Sequence, residues 1–138
     1  MGFQFQHDIP GEELDEDWGE MLARQARILE GMLTRVAETV TAVNSRPDRS
    51  QEHVQQLHDR VRASEEFLTT MAQQNVVLER ETAYFQEVSK APGAGSPKTA
   101  QQLHMIDQVT AALHANLTAA RQYLADLRRA IEPHTTGA

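Results

Sequence analysis

The chain contains no cysteine, which excludes disulfide staples, thiol nucleophiles and cysteine-ligated zinc or iron–sulfur centres. Aromatic residues are scarce at 5%, so any core has to be built from Leu, Val, Ile, Met and Ala, the supply typical of rod-like helical proteins with narrow cores. No stretch reaches the roughly 18 apolar residues of a membrane span, and membrane insertion is not expected. Met1–Ile9 lacks the basic start and apolar run of a secretory leader. Gln6 stands where a myristoylation signal requires Ser or Thr. The expectation is therefore an intracellular, soluble protein, cytoplasmic by default.

What is present points to one all-helical unit. A chain of 138 residues fits a single domain. The net charge of −7 is unevenly spread: residues 1–20 carry Asp8, Glu12, Glu13, Asp15, Glu16, Asp17 and Glu20 with no Lys or Arg, leaving a neutral remainder. Nucleic acid is not expected as the ligand, because phosphate binding draws on a surplus of Lys and Arg.

Two breaks organise the sequence. At Asn44-Ser45-Arg46-Pro47-Asp48 the proline disfavours helix at Arg46, and Asp48 can cap the second helix. At Ala91-Pro92-Gly93-Ala94-Gly95-Ser96-Pro97, Ser96 suits an N-cap and Pro97 a first helical position. No proline lies between the breaks, and Pro133 marks the end of the last segment. The reading is a flexible acidic arm over 1–12, a three-helix coiled-coil bundle over 13–133 with helices at about 14–45, 49–90 and 97–132, and a tail over 134–138. Short connections make consecutive helices antiparallel. The fold class is all-α, an elongated antiparallel three-helix bundle or coiled coil, up-down-up.

The apolar spacing supports this. The second helix runs Val54, Leu57, Val61, Ser64, Leu68, Met71, Asn75, Leu78, Thr82, Phe85, and the third Leu103, Ile106, Thr110, Leu113, Leu117, Ala120, Leu124, Leu127, Ile131. Alternation by three and four holds one seam toward the partner helices. The first helix has a broader stripe: Leu22, Leu29, Val36 and Val43 at its centre, Trp18 and Met32 beside them, Ala26, Leu33 and Val40 on one flank, Met21 and Ile28 on the other. A stripe that wide suits burial against more than one neighbour.

Candidate site residues are those that the seams leave over. Met21, Ile28, Phe67 and Tyr84 lie off the main seams and are candidates for contact with a partner. Phe3, Phe5 and Trp18 could anchor the acidic arm on a partner surface; alternatively the carboxylates favour the positive end of the first helix and Met1–Ile9 is disordered. Asn75 is polar on the seam and could set its register, since a buried amide disfavours pairings that leave it without a partner. Ser64, Thr82 and Thr110 are hydroxyls able to bond their own helix backbone.

Enzymatic and metal chemistry find little to work with. Among His7, His53, His58, His104, His114 and His134 no pair is three or four apart, the spacing that puts two ligands on one helix face. There is no Glu-x-x-His, and the glycines of Ala91–Pro97 lack the Gly-Lys-Ser/Thr ending of a phosphate loop. No catalytic residue, cofactor or metal is expected.

Gln73-Gln74 with Leu78-Glu79, and Leu113–Leu117 running on to Leu124–Leu127, resemble the carboxyl-terminal coiled coil of channel nucleoporins over the second and third helices. The first helix does not follow that pattern and phenylalanine–glycine repeats are absent, so the family is not assigned. The expected function is a non-enzymatic structural or adaptor subunit that assembles with protein partners as a homo- or hetero-oligomer. The alternatives are a small chaperone or regulator holding a client segment in a helical groove, and a coiled-coil subunit of a nuclear-pore-like complex.

Overall fold

The computed structural model describes residues 3–11, 14, 16–45, 51–89 and 97–135, except the side chains at 82, 85, 86, 89, 97–99 and 132–135. Three helices account for most of it: α1 (Glu16–Asn44), α2 (Gln51–Ser89) and α3 (Pro97–Thr135). They pack as an up-down-up bundle with two apolar clusters between the helices, and each helix touches both others. No strand occurs among the described residues.

The three-four spacing becomes the core. Val54, Leu57, Val61 and Leu68 of α2 meet Leu117, Ala120, Leu124 and Ile131 of α3, with Leu29, Leu33, Val36, Val40 and Val43 of α1 closing the third side. Most of the apolar residues of α1 fall on its buried side, joined there by Gln25, while Met21 and Ile28 stand outside it among the charged residues. Glu16 and Asp17 stand in its first turn, where negative charge favours the helix. At its far end Ser45 closes it twice, with backbone N donating to Thr41 O at 3.0 Å and Oγ donating to the same carbonyl at 2.8 Å.

Helix ends differ from the sequence expectation by a residue or two, except at the carboxyl end. There α3 runs past Pro133 to Thr135. A proline forfeits its own N–H bond and crowds the carbonyl four residues back, but its φ is helical. Within one turn of a helix end, it therefore costs one bond and does not set the boundary. The capping expected at Asp48 and Ser96 lies outside the described residues, as does the tail beyond Thr135.

α1 has 29 residues and α2 39. Since few residues separate the two, the last ten or so residues of α2 run beyond the start of α1. Trp18 and Leu78 packing into one cluster marks that level. Beyond it, among the described residues, α2 and α3 are the helices that continue.

Candidate functional site

The segment read from sequence as a flexible arm lies along the bundle over its described residues. Phe3–Gln6 and Ile9, with a bend at His7 and Asp8 between them, lie in the groove between α1 and α3 and run opposite in direction to both. The apolar residues alternate inward: Phe3 and Phe5 pack on the main core and Ile9 on the second cluster, while Gln4, Gln6, His7 and Asp8 are exposed. Val109, Asn116 and Tyr123, seven residues apart in turn, form the one stripe of α3 that receives this strap.

Tyr123 takes both phenylalanine rings by their edges, with centroids 4.8 Å from Phe3 and 5.8 Å from Phe5. Asn116, only 2% exposed, reads the strap backbone. Its Oδ1 accepts from Gln6 N at 2.9 Å and its Nδ2 donates to Gln6 O at 3.0 Å, so one side-chain amide replaces a strand neighbour. The same Nδ2 donates to Gln25 Oε1 at 3.1 Å, and Gln25 Nε2 donates to Leu113 O at 3.2 Å. Two buried amides are thereby satisfied by each other, by α3 and by the strap. His7 Nε2 stands 2.7 Å from Glu30 Oε1 at the strap's outer edge. Gly11, at φ +83°, makes the reversal into α1; an L side chain there would be strained.

Trp18 packs inward with Ile9, Leu14 and Leu78 against Leu22, Val109, Ala112 and Leu113. Phe3, Phe5 and Trp18 are thus seated within the chain itself.

The groove between α1 and α2 is different in kind. α1 and α2 share the smallest of the three helix interfaces, and their splayed edges leave apolar side chains uncovered. Ile28, Met32 and Phe67 line one part of it; Met21, Met71, Val77 and Leu78 line the next. Met21, Ile28 and Phe67 are 43%, 41% and 42% exposed. Three of the residues picked out by their off-seam position therefore share one face. Tyr84 is set apart, 66% exposed on the part of α2 that outruns α1.

Comparison with known protein families, curated proteins and solved structures finds no match. The functional reading rests on the geometry.

Asn75 lines the α1–α2 groove, yet its Nδ2 is buried without a hydrogen-bond partner among the described residues, as is Thr110 Oγ1. A register-setting amide needs a partner in the right pairing, and this donor has none. Ser64 behaves as a hydroxyl on a helix can, donating to Arg60 O at 3.0 Å; the side chain of Thr82 lies outside the described residues. Replacing Asn75 by Leu should therefore stabilise the fold by about 1 kcal/mol, because an orphaned buried donor costs roughly 1–3 kcal/mol. A thermal midpoint that falls on Asn75→Leu contradicts this.

No helix among the described residues is long and apolar enough to cross a membrane. Nor does any group of three or more His, Asp and Glu gather there as a metal site.

Proposed function

We propose that this chain is a non-enzymatic assembly or adaptor subunit whose work is to bind another protein chain by packing helices on its α1–α2 face. The observation that carries the reading is that Met21, Ile28 and Phe67 are uncovered along one face of the bundle. Apolar patches of that kind, rimmed by charge, are the usual mark of a protein-binding surface. Length supports it too, since long antiparallel helices offer a large lateral area per residue.

The test is capture by the tagged chain from its native cells, together with light scattering on the purified chain. Met21→Asp and Ile28→Asp should each weaken association at least tenfold while leaving the helical content unchanged, because an unpaired charge would be buried at the contact. A chain that stays monomeric, retains no protein, and behaves identically in both variants overturns the proposal.

One observation favours a second reading, a holder of an extended client segment. The α1–α3 groove already accommodates an extended segment through Asn116 and Tyr123. That reading expects an added peptide with the sequence of residues 3–9 to bind a strap-deleted chain and raise its thermal midpoint; no shift at saturating peptide removes it.

A further inference from the structure

The charges that border the α1–α2 groove differ between its two ends. Arg35 and Arg60 line it at the loop end beside Ile28 and Phe67. Glu81 lines it at the other end beside Met21 and Val77, where α1 begins with Glu16, Asp17 and Glu20, all exposed. Each end carries a minor counter-charge. Glu38 lies next to Arg35, and Arg24 reaches Glu20 at 3.8 Å. The order along the groove is thus basic, apolar, acidic, with Ile28 on α1 and Phe67 and Met71 on α2 near its middle.

A sequence of that kind is complementary to itself when reversed. We infer that the occupant of the α1–α2 groove is a second copy of this chain, packed face to face and antiparallel about a two-fold axis that crosses the groove beside Ile28. This deepens the assembly proposal and rests on its reading of the α1–α2 face as a binding surface. In this arrangement α1 lies over α1 and α2 over α2, because the axis runs across the groove within the interface plane. Counting outward from Ile28 and Phe67, Arg35 comes opposite Glu20 of the second copy, and Arg60 lies over the same half as its Glu81, about two helical turns nearer the axis. Ile28 meets its own equivalent, as a self-complementary interface requires.

Parallel packing fails on the same charges. It would set Arg35 and Arg60 against themselves and the acidic start of α1 against itself, and like charges in register across an interface are unfavourable. Glu16, Asp17 and Glu20 at the start of α1 lie at the end that the antiparallel arrangement places over the arginines. The size is also adequate. A face two helices wide and as long as α1, roughly 40 Å by 20 Å, gives about 800 Å² per copy, the amount typical of a stable interface.

The test pairs two charge-reversed chains, Arg35→Glu/Arg60→Glu and Glu20→Arg/Glu81→Arg, with oligomeric mass read by light scattering and folding checked by circular dichroism. All four positions are exposed, so both variants should keep their helices. The wild type should be a dimer. Each variant alone should be a monomer, or a dimer weakened at least tenfold, because its two ends then carry one sign. An equimolar mixture should recover a one-to-one dimer. A wild-type chain that is monomeric up to roughly 1 mM overturns the inference, since a weaker contact is no specific assembly. So does a dimer whose mass ignores both variants. A chain carrying all four reversals that pairs with wild type in preference to itself overturns the antiparallel arrangement in favour of the parallel one. A monomer that still needs Met21 and Ile28 to retain a different protein defeats this inference alone and leaves the assembly reading standing.

Discussion

Leu29→Ala should destabilise the chain by about 3 kcal/mol, while Ile28→Ala, one residue away, should stay within about 0.5 kcal/mol of wild type. Leu29 is fully buried in the main cluster, whereas Ile28 is 41% exposed on the groove. One helical step turns a side chain by about 100°, enough here to carry it from the core to the surface. Removing the Leu29 side chain forfeits its transfer energy and leaves a void that three tightly packed helices cannot fully close. For a chain of this size the loss should lower the thermal midpoint by about 10 °C, measured by circular dichroism at a concentration where association is negligible. Equal losses for the two substitutions would mean that α1 is rotated from the orientation described. Ile28→Ala is expected to act on association instead.

Asn116→Leu should release the strap and cost about 2 kcal/mol. The substitution removes three hydrogen bonds at once, two to the Gln6 backbone and one to Gln25 Oε1. If all three groups stayed buried, orphaning them at roughly 1–3 kcal/mol each would approach the whole stability of a small domain. The backbone groups of Gln6 have an escape, since undocking returns them to water and forfeits only the half-buried contacts of Phe3, Phe5 and Ile9. Local release is the cheaper outcome and caps the loss. The signature is therefore selective: the Tyr123 ring should lose its shifts from Phe3 and Phe5, and residues 3–11 should become rapidly cleavable by protease, with the helical signal retained. Unaltered Tyr123 resonances would mean that Asn116 does not hold the strap. Asn116→Leu and Asn75→Leu thus exchange the same residues with opposite sign, because one amide is bonded at both its oxygen and its nitrogen and the other holds a buried donor with no partner among the described residues.

The bundle was legible because its physics is periodic. Three-four spacing names Val54, Leu57, Val61, Ser64 and Leu68 of α2 and Leu113, Leu117, Ala120, Leu124 and Ile131 of α3 as buried, though it misses Val109, Ala112 and Asn116, and Met21, Ile28 and Phe67 stand out as apolar residues that the seam does not use. The strap was not legible by that route. A helical window applied to residues 3–9 finds nothing, whereas the alternation Phe3-Gln4-Phe5-Gln6 has the period of an extended chain. Its receiving stripe was also in view as Val109, Asn116 and Tyr123, but it lies one position off the main seam, and a polar residue in the middle reads there as solvated surface. Gln25 and Asn116 are buried only because each satisfies the other and the strap, a joint condition between positions 91 residues apart in sequence. Single-residue preferences do not encode it.

The strap also fixes an order of events in folding. The bonds between Gln6 and Asn116 close a chain separation of 110 residues, and the groove that receives it does not exist until α3 has packed beside α1. Helices form from neighbours and consolidate early, while so distant a closure waits for its receptor. The strap thus settles after the helices, and until it does, the α1–α3 groove stands open with Tyr123 bare.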